Sequence, residues 1–149
     1  MRTLLLAAAA LTATACQKDT TDTADTGGDT AAAEVDYETS VQAVFDRSCV
    51  SCHDAEGLYE LAQEVDLVLE PGLSYDELVG VNAVQLPSMP LVDPGNPDNS
   101  YLMYKLTDTY QDVGGTGDEM PPGLTLAGND LDPIRLWISQ GALPSATRR

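Results

Sequence analysis

Cys49-Val50-Ser51-Cys52-His53 is the stretch of this 149-residue chain that carries the most chemical information. A Cys-x-x-Cys-His run is the attachment signature of a c-type haem. The thiols of Cys49 and Cys52 can each add to a vinyl group of one porphyrin, and the imidazole of His53 is then held beneath the ring as the proximal iron ligand. His53 is the only histidine in the chain, so a histidine ligand to iron must be this residue. The motif predicts one covalently bound haem c.

Other uses of a Cys-x-x-Cys pair remain open from the residues alone. Such a pair can be a redox-active dithiol, half of a zinc site or a disulfide. A structural zinc site takes four Cys or His ligands, whereas the chain has three Cys and one His, and Cys16 has another use. A thioredoxin-like dithiol lies beside a βαβ pattern, and none is visible around Cys49 and Cys52. A dithiol or a disulfide therefore remains the alternative to haem.

The first 15 residues have the pattern of a signal peptide. Arg2 gives a positively charged start, and residues 4–15 are an uncharged run, mostly Leu and Ala, that is too short to span a bilayer. The run ends in Ala13-Thr14-Ala15-Cys16, which resembles a bacterial lipobox, where the signal is cut before the Cys and its thiol is acylated. Gln17 is not the Asp that commonly retains lipoproteins at the inner membrane. We therefore expect residues 1–15 to be a signal peptide and Cys16 to be lipidated. The protein would then lie on the periplasmic side of the cell envelope as an outer-membrane lipoprotein. Cleavage that leaves Cys16 unmodified is the alternative.

Residues 16–36 and 37–149 differ sharply in composition. The segment KDTTDTADTGGDTAAAE, residues 18–34, has no large apolar side chain and cannot bury enough surface to offset the entropy of ordering. We predict a disordered tether behind the lipidated Cys16. Residues 37–149 are long enough for one small domain with one core. They contain no internal repeat and no second Cys-x-x-Cys-His, so one haem is the limit.

Short helical patterns begin just before the haem motif. Val41, Val44 and Phe45 recur at helical spacing and lead directly into Cys49. Ser74-Tyr75-Asp76-Glu77 has the form of a capping box, and it predicts a helix that stops at Gly80. A further helix is predicted over residues 101–106, with its apolar side chains on one face.

The last helical pattern covers residues 131–140, with Ile134 and Ile138 on one side. Pro133 fits its first turn, and Gly141 stands where a C-terminal cap belongs. Pro- and Gly-rich loops, residues 87–97 and 114–123, lie between the helices, and no alternating strand pattern of useful length is present. With one Phe and one Trp, the core is thin in aromatic side chains, as expected if a porphyrin supplies apolar bulk. The predicted fold class is all-α, with four or five short helices and Pro/Gly-rich loops around one haem.

Several pieces of the chain occur in the order known from one family. They are Cys49-Val50-Ser51-Cys52-His53 after an amphipathic helix, Ser74-Tyr75-Asp76-Glu77-Leu78-Val79-Gly80, Pro94-Gly95-Asn96-Pro97-Asp98-Asn99-Ser100-Tyr101-Leu102 with Lys105-Leu106, Met120-Pro121-Pro122, and Ile134-Arg135-Leu136-Trp137-Ile138 with Gly141-Ala142. In these pieces the chain resembles the small single-haem cytochrome c domains of the planctomycete type. The resemblance implies a cytochrome c-like fold in which the first and last helices, residues 41–47 and 131–140, cross beside the haem. It also implies a loop methionine as the second axial ligand.

Met120 is the methionine to which this resemblance points, because Met-Pro-Pro in a Gly-rich loop resembles the family's ligand loop. Prolines after the methionine stiffen the loop and keep the thioether on iron. Met89, which precedes Pro90, is a competitor on local chemistry, and an iron without a methionine ligand is a further alternative. Met103 lies within a helical pattern and is predicted to be core packing. The expected iron ligands are His53 and Met120.

The chain is strongly acidic, with 24 Asp and Glu against 7 Lys and Arg and a formal net charge of −17. Such a surface repels nucleic acid and anionic lipid, so neither is an expected partner, and the membrane is expected to be reached through the lipid anchor alone. Two hypotheses account for the acidity. It keeps an exported protein soluble or reflects a salty habitat, or it attracts a redox protein partner with a basic docking surface.

Two classes of function follow from one haem. With His53 and Met120 on iron, both axial positions are filled and the protein is an electron carrier and not an enzyme. With an open sixth position, it is a peroxidase-like enzyme or a gas-binding sensor. A haem-free lipoprotein scaffold with a Cys49–Cys52 disulfide is a third hypothesis. The sequence favours the electron carrier, because it offers no second haem motif, no further His and no carboxylate cluster with metal spacing.

Overall fold

Residues 34–56 and 67–145 are the part of the chain that the structure, a computed structural model, describes. The predicted signal peptide, the predicted lipidation site Cys16 and most of the predicted tether lie outside these residues. Within the two described segments, none of the helices combines the length and the apolar character that crossing a bilayer requires.

The helix that leads into the haem motif begins at a carboxylate cap. Asp36 accepts a hydrogen bond from the backbone N–H of Thr39 at 3.0 Å, and this bond, with further bonds from the Ser145 and Thr39 hydroxyls, lowers the pKa of Asp36. Tyr37–Gln42 form a π-helical stretch that continues without a break as α1, Ala43–Ser48.

The apolar face predicted for this first helix is confirmed. Val41, Val44 and Phe45 are all buried. Val35, at the end of the segment predicted as tether, also packs against the core, and its backbone N–H donates to Gln140 Oε1 at 2.8 Å.

Helix α2, Ser74–Leu78, lies where the sequence predicts a helix, but the predicted capping box is wrong. The residue before the helix is Leu73, and it makes no side-chain cap. Ser74 is fully buried instead, and its hydroxyl donates to Gln42 Oε1 in the core. The chain leaves the helix through Gly80 at φ +73°, a left-handed conformation that glycine adopts without a steric penalty.

A short antiparallel hairpin follows, an element that the sequence did not predict. Strands β1, Asn82–Ala83, and β2, Leu86–Pro90, pair with Asn82 opposite Pro90 and Ala83 opposite Leu86. The register shifts between the two β1 residues. β2 is half-buried at its ends and exposed in the middle, so it has no alternating pattern from which a strand could be predicted.

Helix α3, Tyr101–Leu106, confirms the prediction for residues 101–106. A 3₁₀ turn, Pro97–Asn99, precedes it, and a second one, Tyr110–Val113, follows it. The helix is attached to the end of the hairpin because Leu102 N donates to Leu91 O at 3.0 Å.

Helix α4, Gly128–Ser139, starts three residues earlier than predicted. Pro133 therefore lies inside the helix and not in its first turn, so the predicted role of Pro133 was wrong. The predicted C-terminal cap at Gly141 is confirmed. Gly141 has φ +99°, its N–H donates to Ile138 O, and the next N–H, of Ala142, donates to Trp137 O, both at 2.9 Å. This pair of bonds is a Schellman motif.

The described residues form one compact unit whose buried side chains make two hydrophobic clusters. In the larger cluster the first helix packs against α4, and the ring centroids of Tyr37 and Trp137 lie 4.9 Å apart. The smaller cluster is built on Ala83, Tyr101 and Tyr110. Three buried tyrosines thus add aromatic side chains to a core that has a single Phe and a single Trp.

Candidate functional site

The Cys-x-x-Cys-His motif continues directly from the end of α1. The backbone N–H groups of Cys49 and Val50 both donate to Phe45 O, at 2.8 and 3.0 Å, and His53 N donates to Cys49 O at 3.0 Å. These bonds extend the helical winding from α1 into the motif. The first helix therefore carries both cysteines and His53 on one short, hydrogen-bonded turn.

The two thiols of the motif lie in different surroundings. Cys49 is half-buried and packs against the larger hydrophobic cluster, whereas Cys52 is exposed. Burial raises the pKa of the Cys49 thiol to about 11, and the charge of a Cys52 thiolate adds to the shift. Both residues are free thiols, so both are available for addition to a vinyl group.

His53 is oriented by a backbone carbonyl. Its Nδ1 lies 2.9 Å from Leu67 O. Because a carbonyl oxygen can only accept, Nδ1 carries the hydrogen and Nε2 presents its lone pair. This is the arrangement by which a second hydrogen bond fixes the tautomer of a metal-ligating histidine. The backbone carbonyl of His53 also accepts from Leu69 N at 2.7 Å, so two bonds tie His53 to residues 67–69.

A buried polar network holds residues 67–69 in turn. Gln42 Nε2 donates to Leu69 O at 2.8 Å, and Gln42 Oε1 accepts from the Ser74 hydroxyl. Tyr37 Oη lies 2.7 Å from the same hydroxyl. Sequence reasoning missed Gln42, because one glutamine beside an apolar stripe gives no sign that its amide is buried.

The methionines named from the sequence fall into different environments. Met120 is half-buried and packs against the same cluster as Cys49. Met89 packs against the smaller cluster around Tyr101 and Tyr110. Met103 is 3 % exposed within the larger cluster, which confirms its prediction as core.

The loop around Met120 is fastened at several points. Met120 N donates to Lys105 O at 3.0 Å, and Gly123 N donates to the Glu119 carboxylate at 2.7 Å, which lowers the pKa of Glu119. The peptide bond between Met120 and Pro121 is cis. The two hydrogen bonds hold the backbone on both sides of Met120.

The donors in this region are two thiols, one imidazole and one thioether. Within residues 34–56 and 67–145, no three His, Cys, Asp or Glu side chains lie together as a metal site would need. Two free thiols, a histidine with an available Nε2 and a thioether on the same hydrophobic cluster are the groups that attach and ligate a c-type haem.

No family model matches the chain, and no curated protein or solved structure matches it.

Proposed function

We propose that Cys49 and Cys52 bind one haem c covalently, that His53 and Met120 are the axial ligands of its iron, and that the protein is an electron carrier of the cell envelope. The observation that carries the proposal is the hydrogen bond from His53 Nδ1 to Leu67 O. It leaves the lone pair on Nε2 in the residue that directly follows the Cys-x-x-Cys pair.

The thiols support covalent attachment. Each sulfur would add to one carbon of a vinyl group and its hydrogen would go to the other carbon, so thioether formation needs no external oxidant. Cys52 is exposed and offers immediate access, while Cys49 faces the apolar cluster against which a porphyrin edge would pack.

Met120 supports the carrier over the enzyme or sensor. It shares a hydrophobic cluster with Cys49, whereas Met89 does not. Bound haem supplies a one-electron couple, and a methionine ligand raises its reduction potential. With His53 and Met120 filling both axial positions, the chain would leave no coordination site for a substrate.

Haem attachment is tested on protein matured together with a haem-attachment machinery. Intact mass should exceed the polypeptide mass by one haem, and acid–acetone should leave the colour on the protein. The double variant Cys49→Ala/Cys52→Ala should be colourless, since it has no thiol in the motif. Cys16→Ser is the matched control, because it also removes a thiol but should keep the haem.

Two results would contradict the proposal. Extraction of the colour from the wild type by acid–acetone would show that the haem is not covalently bound. Rapid binding of carbon monoxide by the reduced wild type would indicate an open sixth position, and with it a haem enzyme or gas sensor.

A further inference from the structure

Lys105 is the only Lys, Arg, Asp or Glu that is buried in the part of the chain that the structure describes, with 6 % of its surface exposed. Removing an ammonium from water is unfavourable unless nearby groups replace its hydration. A Met or Leu would fill the same space in α3 without that penalty. A buried ammonium at this position therefore depends on nearby groups that interact with its charge.

The ammonium lies between aromatic rings and a loop. Its Nζ is 4.4 Å from the centroid of the Tyr110 ring and 5.9 Å from that of Tyr101. Nζ also donates to Thr116 O at 3.3 Å. The carboxylates of Asp118 and Glu119 attract it electrostatically. Apart from the two rings, these partners of the ammonium belong to residues 116–119, which lead directly to Met120.

Neutral contacts bring the same loop to the same helix. Tyr101 Oη donates to Thr116 O at 3.2 Å, and Met120 N donates to Lys105 O at 3.0 Å. Gly115 lies so close to the Tyr101 ring that a Cβ there would collide with it. The loop therefore lies directly on α3, with the Lys105 ammonium at the contact.

We propose that Lys105 is a positioning residue: its ammonium holds residues 116–120 against α3 and thereby fixes the Met120 thioether in one place. This inference rests on the proposed function, in which Met120 ligates iron. A neutral hydrogen bond acts on one atom, whereas a charge attracts the Thr116 carbonyl and two carboxylates together.

The test compares Lys105→Met with Arg135→Met in the haem-loaded protein. Arg135 is an exposed cation of α4 that pairs with Asp98 at 3.3 Å, so the control changes the net charge equally without touching the loop. In Lys105→Met the amide of Met120 should exchange its hydrogen at least about tenfold faster, as expected when a charge-assisted bond is lost. The amides of Trp137 and Ile138 should exchange as in the wild type. The sulfur-to-iron absorption of the ferric protein should weaken, and carbon monoxide should bind the reduced protein more readily.

Lys105→Gln, which is neutral but keeps a hydrogen-bond donor, is measured in parallel so that the test does not depend on one variant folding. The proposal would be overturned if a folded Lys105 variant showed the same hydrogen exchange at the Met120 amide, and the same sulfur-to-iron absorption, as Arg135→Met. Unfolding of both Lys105 variants would also overturn it, because the role would then be general stability. If the wild type itself lacks the sulfur-to-iron absorption, the proposed ligation by Met120 fails, and the exchange rates alone still decide whether Lys105 holds the loop.

Discussion

At the scale of single residues, the proposal that Met120 and not Met89 ligates iron depends on the hydrophobic cluster that each methionine contacts. Met120 and Met89 are both half-buried, and both precede a proline, so exposure and local sequence do not separate them. Their hydrophobic neighbours do, because only Met120 packs on the cluster that also contacts Cys49. A thioether that is to reach the same iron as His53 must lie near the attachment motif.

Replacement of Met120 therefore should change the spectrum, and replacement of Met89 should not. Met120→Ala should abolish the weak sulfur-to-iron absorption of the ferric protein, lower the reduction potential and allow carbon monoxide to bind the reduced form, since an axial ligand is lost. Met89→Ala is the control, with one methionine removed from the other cluster. Loss of the absorption in Met89→Ala with retention in Met120→Ala would assign the ligand to Met89.

The candidate site residues could be predicted from the sequence, but the groups that hold them in position could not. Cys49, Cys52 and His53 are read from their spacing alone. The atom that orients His53 is the carbonyl of Leu67, and a backbone carbonyl has no residue type by which a sequence could mark it. The burial of Lys105 could not be predicted either, because nothing in its sequence neighbours shows that its side chain is buried.

At the scale of elements, the existence of the helices was predictable and their ends were less so. Ser74 has the sequence of a helix cap, yet its hydroxyl serves Gln42 in the core, so a tertiary contact overrides the local signal. Pro133 suggests a helix start, but α4 begins at Gly128 and accepts the proline inside. The β1–β2 hairpin could not be predicted, because β2 has prolines and no alternating pattern.

Two glycines at the ends of α4 should respond in opposite ways to alanine: Gly128, its first residue, and Gly141, two residues after its last. A Cβ at either Gly128 or Gly141 would meet nothing within 4 Å, so neither change creates a clash. Gly141 has φ +99°, and an L-residue there is strained by about 1–2 kcal/mol. Gly128 has no positive φ. Alanine there should stabilise the protein by about 0.4–1 kcal/mol, because it lowers the conformational entropy of the unfolded chain.

Denaturant unfolding of the haem-loaded variants measures the free energy of unfolding of each, with the wild type as reference. Equal effects of Gly128→Ala and Gly141→Ala would show that the Schellman motif at the end of α4 does not require the glycine conformation.

At the scale of the whole molecule, the proposed lipid anchor and the negative charge would decide which partners the proposed haem domain meets. Cys16→Ser should release the protein from membranes, or stop its processing, while the haem spectrum stays unchanged. An acyl chain on Cys16 would supply the attachment, and residues 18–34 have the composition of a flexible spacer. Fractionation of cells followed by haem staining measures this. Wild-type protein found free in the periplasmic extract would contradict lipidation.

Positive charge is nearly absent from the described surface. The Lys and Arg residues within 34–56 and 67–145 are Arg47, Lys105 and Arg135. Lys105 is buried, Arg47 pairs with Asp130 at 2.7 Å, and Arg135 pairs with Asp98 at 3.3 Å. Carboxylates greatly outnumber these three cations among the described residues, so the surface potential is negative.

Electron transfer to a partner with Lys or Arg around its cofactor should therefore slow steeply as salt is added. Electrostatic steering raises association rates by about 10-fold or more at low ionic strength, and screening over a Debye length of about 10 Å at 0.1 M removes most of that gain. Stopped-flow oxidation of the reduced protein measures the rate against ionic strength, with an acidic partner as control, for which added salt should increase the rate. A flat response with the basic partner would favour the other hypothesis for the acidity, that the charge only keeps an exported protein soluble. Electron carriage itself would stand in that case, because it depends on the ligands of the iron and not on the surface.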